Sequence, residues 1–267
     1  MKKLFIFIIF FGIFSSCEDV IEVELNEAPP RLVIEANCNK NIDEEQVQAT
    51  VRLTTTKPFF GNENTEIADA EVKIITEEGF IINLEYFNNG RYSATFPIEA
   101  EKEYTLEIVH QGETYSATEV LYNVSPLEFV EQRNDGGFTG EDIELKVFFT
   151  DPADQRNFYF FEGLSEKGDV LDVYNDEFFD GNTIFGYFLV DDLAPEDQVQ
   201  FNIYGVSQAY YNFMFILLQQ TSDQGGGPFE TQPATVRGNI VNETNPDNYP
   251  LGYFRISEVS TLNYTVQ

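Results

Sequence analysis

The feature that most restricts what this chain can fold into is a two-residue hydrophobic period that begins at Arg31 and recurs to about residue 120. In residues 46–53 the apolar set is Val47, Ala49, Val51 and Leu53, and in residues 69–75 it is Ala70, Val72 and Ile74. Tyr92, Ala94 and Phe96 repeat the pattern, as do Tyr104, Leu106 and Ile108. Successive side chains of a strand leave opposite faces, so period two marks a strand with one buried face. The runs are separated by Glu78-Gly79, Asn89-Gly90 and Gln111-Gly112, dipeptides that supply the positive φ of tight hairpins. Seven such strands predict an N-terminal β-sandwich over residues 31–122, immunoglobulin-like or prealbumin-like, with both topologies open.

The pattern resets at Asn123-Val124-Ser125-Pro126, which places a domain boundary there and a second domain over residues 126–267. From Glu141, the side chains of Ile143, Leu145, Val147 and Phe149 point one way while Glu144, Lys146 and Phe148 point the other. The alternation stops at Asp151-Pro152, since proline cannot donate to a ladder. Further strands are expected at 157–163, 169–174, 183–190 and 198–204, and the stretch 251–266 returns to strand-like composition. One segment breaks the rule. Ser207 offers an N-cap, and residues 208–220 carry Tyr210, Tyr211, Met214, Leu217 and Leu218 at helical spacing before the stop at Gly225-Gly226-Gly227-Pro228. The fold class is therefore mainly β: a sandwich followed by a second β-sheet or partial-barrel domain with one packed α-helix.

Charge excludes one class of partner. Against 46 Asp and Glu the chain has only 15 Lys and Arg, a formal charge of −31. Nucleic-acid backbones are held by clustered Lys and Arg, so a nucleic-acid clamp is ruled out. The first residues state an address: Lys2 and Lys3, an uncharged run over residues 4–14, then Phe14-Ser15-Ser16-Cys17. This is the layout of a signal peptide over residues 1–16. A run of that length makes a helix of about 16 Å, half a bilayer's hydrocarbon thickness, too short to remain as a span. A cysteine directly after small residues resembles a bacterial lipobox, with Cys17 acylated and residues 17–30 forming an acidic tether that ends at Pro29-Pro30. Glu18 and Asp19 resemble the acidic export signals that send Bacteroidota lipoproteins to the cell surface. An acylated Cys17 leaves Cys38 without a disulfide partner, and Cys38 reads as a small half-buried residue.

Catalytic constellations are hard to find. Nucleophile elbows, zinc helices, phosphate loops and paired-cysteine motifs do not occur. His110 is the single histidine and falls at a strand end. Asp176, Glu177, Asp180 and Asn182, and likewise Asp191, Asp192, Glu196 and Asp197, are oxygen-rich but lack the fixed spacing of a calcium loop, so they read as solvated turn acids. No catalytic residue, metal site or cofactor is assigned. The strongest interaction candidates are aromatic: Phe158, Tyr159, Phe160 and Phe161, then Phe178 and Phe179, with Phe185 and Tyr187-Phe188 a further cluster. Four consecutive aromatics in a strand put rings on both faces of a sheet, so one set is core and the other meets the helix, the other domain or a partner.

Several strings together resemble the Bacteroidota lipoproteins of the domain-of-unknown-function 4249 family. They are Cys17-Glu18-Asp19-Val20-Ile21 with Pro30-Arg31-Leu32-Val33-Ile34-Glu35, Asp151-Pro152 with Asn157-Phe158-Tyr159, Phe179-Asp180-Gly181, Ser207 with Tyr210-Tyr211, and Leu251-Gly252-Tyr253-Phe254. Members of that family are typically encoded beside TonB-dependent outer-membrane receptors. The resemblance implies a non-enzymatic, lipid-anchored accessory protein of such a barrel, held to the outer-membrane bilayer through Cys17 and supplied with no catalytic residues. A stand-alone cell-surface ligand- or glycan-binding lipoprotein is the alternative, and a carboxylate-dependent hydrolase a third reading.

Overall fold

The computed structural model describes residues 29–57, 65–138, 140–221 and 236–267. The first seven strands are β1 (Leu32–Asn41), β2 (Gln46–Thr55), β3 (Glu71–Thr76), β4 (Ile81–Asn88), β5 (Arg91–Pro97), β6 (Glu103–His110) and β7 (Glu113–Val120). Their pairing gives the order β1-β2-β5-β4 in one layer and β3-β6-β7 in the other, the immunoglobulin constant-type arrangement. Strand β4 changes layers within its own length. Residues 81–84 pair with β3, and residues from Glu85 onward pair with β5. The turn dipeptides act as the sequence demands: Asn89 and Gly90 have φ of 47° and 72°, Gln111 and Gly112 of 51° and 80°, the pair of positive values a type I′ hairpin requires. The predicted apolar faces fill the space between layers, with Ile34, Val51, Ile74, Leu106 and Ile108 fully buried. Cys38 lies in this core with no exposed surface, not half-buried as expected. Burial pushes its thiol up to about 12, which keeps it protonated and unreactive.

The remaining elements are β8 (Leu127–Gly136), β9 (Asp142–Thr150), β10 (Phe158–Ser165), β11 (Gly168–Asn175), β12 (Thr183–Phe188), β13 (Gln198–Gly205), α1 (Gln208–Thr221), β14 (Val241–Asn242) and β15 (Leu251–Thr265). Strands β12-β9-β8 form a three-stranded sheet that faces β11-β10-β13-β15. Leu145, Val147, Phe161, Phe188 and Phe201 are buried between them. Of the two forms expected for this half, it takes that of a sheet facing a sheet, so it too is a sandwich. The helix is inserted in the connection between β13 and β15 and lies on the outer face of the larger sheet, against β10 and β11. Ser207 caps it, its Oγ accepting the Tyr210 N–H at 3.0 Å.

Strand β15 welds the halves. Its residues 251–259 run parallel to β1, and its residues 259–265 run antiparallel to β13. Twelve strands therefore follow one hydrogen-bonded order. The expected division at residues 123–126 falls between β7 and β8, but the chain beyond it returns to the first half. Strand β14 pairs with β7, and Ile240, Phe254 and Ile256 join the first core. The physical reason is length. Fifteen residues of strand extend about 50 Å, enough to serve as the edge of both sandwiches.

Candidate functional site

Cys17, Glu18 and Asp19 lie outside the described residues. The aromatic run on β10 is not an open surface. Tyr159, Phe160 and Phe161 are buried, and Phe158 is half-buried against Tyr211 of α1 and the Arg156 guanidinium. Tyr159 and Phe161 point between the layers, while Phe158 and Phe160 point the other way, under the helix. A strand sandwiched between a core and a helix has no free face, so this run packs inward on both sides. Phe178 is 90% exposed and Phe179 half-buried, both in the tight turn before β12.

One row of outward-facing rings stands on the three-stranded sheet. Its inner face is occupied by Leu145, Val147 and Phe149, so alternation sends Lys146, Phe148 and Thr150 outward. Phe148 is directly opposite Phe129 on β8 and Phe185 on β12. The Phe129 and Phe148 rings stack at 4.6 Å and 13°, and Phe148 meets Phe185 at 5.4 Å. Phe129 and Phe185 remain 49% and 40% exposed. The result is an aromatic ladder crossing all three strands, about 10 Å wide at ordinary strand spacing. Lys146 lies 5.0 Å from the Phe185 centroid and is tied to Glu144 at 2.9 Å. Glu144 also accepts from the Tyr187 hydroxyl at 3.0 Å, and the Lys146 hydrogen bond chiefly holds its carboxyl below the usual range. Phe148 was visible in the sequence as the outward member of its strand and Phe185 as part of an aromatic cluster. Phe129 gave no signal, because a register shift at residues 127–129 breaks the alternation of β8.

Beneath the ladder, the ends of β9 and β12 are fixed by a buried carboxylate. Asp151 Oδ1 accepts from the Tyr159 hydroxyl and Oδ2 from the Gly181 N–H at 3.1 Å. The neighbouring Asp176, also buried, accepts from the Asn157 N–H at 2.6 Å and faces Arg156 at 3.3 Å. Asp180 accepts from the Asp154 N–H at 2.9 Å. Burial raises the Asp151 pKa above the ordinary carboxylate value, opposed by its two donors. These acids hold backbone and hydroxyl groups, so three strings of the sequence, Asp151-Pro152, Asn157-Phe158-Tyr159 and Phe179-Asp180-Gly181, are one structural knot.

Those strings carried the likeness to a family, and comparison with family models decides the matter: the model described as "Domain of unknown function (DUF4249)" matches residues 18–263. The chain belongs to the DUF4249 family. No curated protein matches it. Among solved structures, a two-domain fibronectin type III segment from chicken tenascin is 16% identical, with 66% of this chain and 90% of that chain covered and a TM-score of 0.22. A DUF4785 family protein from Legionella pneumophila is 9% identical, with coverages of 65% and 52% and a TM-score of 0.28. At such scores the two-sandwich topology rests on the strand order alone.

The other described strings of this DUF4249 chain, Pro30–Glu35, Ser207 with Tyr210-Tyr211, and Leu251–Phe254, meet at the junction of β1, β15 and α1. Tyr253 packs edge-on to Tyr210 at 5.0 Å, and its hydroxyl approaches Ser207 Oγ at 3.4 Å and Glu119 Oε1 at 3.3 Å. Asn239 donates to Glu119 at 2.9 Å and exchanges two further bonds with the Phe254 backbone, 2.9 Å each. Arg255 is buried beneath the helix, donating to Asn37 Oδ1 at 3.3 Å and Asn39 Oδ1 at 3.1 Å, with its guanidinium 4.3 Å from the Tyr204 centroid. Burial pushes the Glu119 carboxyl up from 4.5 to about 7, against the pull of the Asn239 and Tyr253 hydrogen bonds. The folded chain thus keeps a proton across a window in which the unfolded chain has released it, so this group's contribution falls as pH rises from about 4.5 to about 7. Glu119→Gln should remove that slope. In urea unfolding, the parent should lose on the order of 2 kcal/mol relative to the variant between about pH 5 and about pH 8.

Proposed function

We propose that this DUF4249 protein is a non-enzymatic accessory lipoprotein of an outer-membrane β-barrel, a TonB-dependent receptor. Acylated Cys17 anchors it and Glu18-Asp19 direct it to the cell surface. The observation that carries the reading is the ladder of Phe129, Phe148 and Phe185, an apolar strip left open on the outer face of a rigid sheet. Exposed contiguous aromatic surface marks an interaction site, and a strip supported by three paired strands needs no ordering on contact. The family resemblance supplies the kind of partner. Lipid alone must hold the anchor, because a chain of this charge gains nothing from anionic headgroups.

The test is co-isolation from detergent-solubilised membranes. The parent should bring down a TonB-dependent barrel identified by mass spectrometry. Phe129→Ser/Phe148→Ser/Phe185→Ser should lose at least tenfold of it while remaining folded, since half-exposed cross-strand pairs contribute only about 0.2–1 kcal/mol each. Cys17→Ala should move the protein to the soluble fraction. Equal recovery of the barrel by parent and triple variant would contradict the assignment of the docking face.

A further inference from the structure

A cavity of about 570 Å³ opens where the linker between the sandwiches passes the first residue of α1. That volume is within the range of small-molecule sites. Its walls are fixed by hydrogen bonds. On the linker, the Tyr122 carbonyl accepts from the Glu258 N–H at 2.8 Å, and the Val124 N–H donates to Glu258 Oε2 at 3.2 Å. Gly205 lets the linker lie this close, since a Cβ there would fall 2.0 Å from the Asn123 carbonyl oxygen. At the start of β10, the Asn157 N–H donates to Asp176 at 2.6 Å, and the Phe158 carbonyl accepts from the Val206 N–H at 3.0 Å. A cavity held in this way is shaped before any ligand arrives, so little ordering opposes binding.

The lining is unlike the rest of so acidic a chain. Asn123, Gln155, Asn157 and Gln208 bring four amides to it, and Tyr122 and Ser125 add hydroxyls. Arg156 alone of its lining residues is charged, and that charge is already paired with Asp176 at 3.3 Å and Glu177 at 3.9 Å. Each amide holds a donor and an acceptor side by side. Asn157 Oδ1 is buried and has no hydrogen-bond partner among the described residues. A buried acceptor in that state favours a ligand that brings a donor.

Amides and hydroxyls around a space with no unpaired lining charge match a neutral polyhydroxyl ligand, whose neighbouring hydroxyls each donate and accept. We infer that this cavity binds a neutral saccharide of disaccharide size, its hydroxyls held by Gln155, Asn157 and Gln208 and its apolar face against the Tyr122 and Phe158 side chains that also line the space. An anionic sugar is disfavoured, because Arg156 is taken and the chain around it is acidic. The cavity shares no residue with the aromatic ladder, so binding here does not depend on the barrel partner, and its failure would leave that reading untouched.

The experiment is saturation-transfer NMR on the full chain, in a detergent without a sugar head, with maltose, cellobiose, lactose and diacetylchitobiose as neutral probes and digalacturonate as the anionic one. At least one neutral disaccharide should receive saturation and give a titratable affinity, and digalacturonate should bind at least tenfold more weakly than it. Gln155 and Gln208 are exposed, so Gln155→Ala/Gln208→Ala should keep its melting temperature and weaken the bound disaccharide about tenfold for two lost hydrogen bonds. Should that double variant melt early, Gln155→Trp, a change on an exposed turn that fills the mouth, should weaken binding by at least as much with unchanged melting. No titratable signal from any of the four neutral probes, tighter binding of digalacturonate, or full affinity in a folded Gln155→Ala/Gln208→Ala or Gln155→Trp chain would each overturn the inference.

Discussion

Gly252→Ala is expected to abolish folding or to destabilise the protein by more than about 3 kcal/mol. Gly252 stands opposite Ile34 where β15 runs parallel to β1, and its φ is +99°. A Cβ there would lie 2.0 Å from the Ile34 carbonyl oxygen, a backbone atom with nowhere to go. Gly238 is pressed against the same place, since its own Cβ would lie 1.6 Å from the Gly252 oxygen. Alanine must therefore lift β15 from β1 and open the seam that both sandwiches share. Gly79 is the control. It also has positive φ, 86°, but open space around its Cβ position. Gly79→Ala should cost about 1–2 kcal/mol from backbone strain alone. Urea unfolding of both variants separates the clash from the strain. Equal effects would mean that the close approach of β1 and β15 is not a tight contact.

Asp151→Ala is expected to destabilise by about 3 kcal/mol. The variant leaves the buried Tyr159 hydroxyl and the Gly181 N–H without their acceptor. Unmade bonds to buried groups cost more than the net worth of the bonds themselves. The consequence reaches the surface. Asp151 follows β9, and its own N–H donates to the Asn182 carbonyl at 3.1 Å, next to the start of β12. Those two strands carry Phe148 and Phe185, so the knot sets the register of the ladder. On the function proposed above, Asp151→Ala should weaken recovery of a TonB-dependent barrel although no atom of Asp151 belongs to the ladder. Wild-type unfolding free energy in this variant would show that Tyr159 and Gly181 find other partners.

The local structure was legible in the sequence wherever it is decided locally. The strands of the first sandwich follow from period two, the hairpins from Asn89-Gly90 and Gln111-Gly112, and the helix from Ser207 and its apolar stripe. Long-range pairing was not legible. Nothing near residue 33 announces a parallel partner at residue 251, because parallel register is set by layers closing and not by a turn. Strand β14, two residues long, is held through side chains. Glu113 accepts from Tyr115, Asn242 and Asn248 at 2.6, 3.0 and 2.7 Å, and so docks a loop that carries no periodic signal. Of the outcomes expected for the outer rings of the aromatic run, contact with the helix is the one observed. The run Phe158–Phe161 is dense in sequence but buried from both sides, whereas the ladder draws one ring from each of three strands and exists only once their register is fixed. Arg31 and Arg237 follow the same rule, since they meet only across Tyr249.

Site-specific photo-crosslinking in intact cells tests the proposed docking face most directly. A photoreactive phenylalanine analogue at Phe185 should give one adduct, with a TonB-dependent barrel, while the same analogue at Tyr86, an exposed aromatic of the first sandwich, should give none. Absence of a barrel adduct from Phe185, or the same adduct from both positions, would contradict the account.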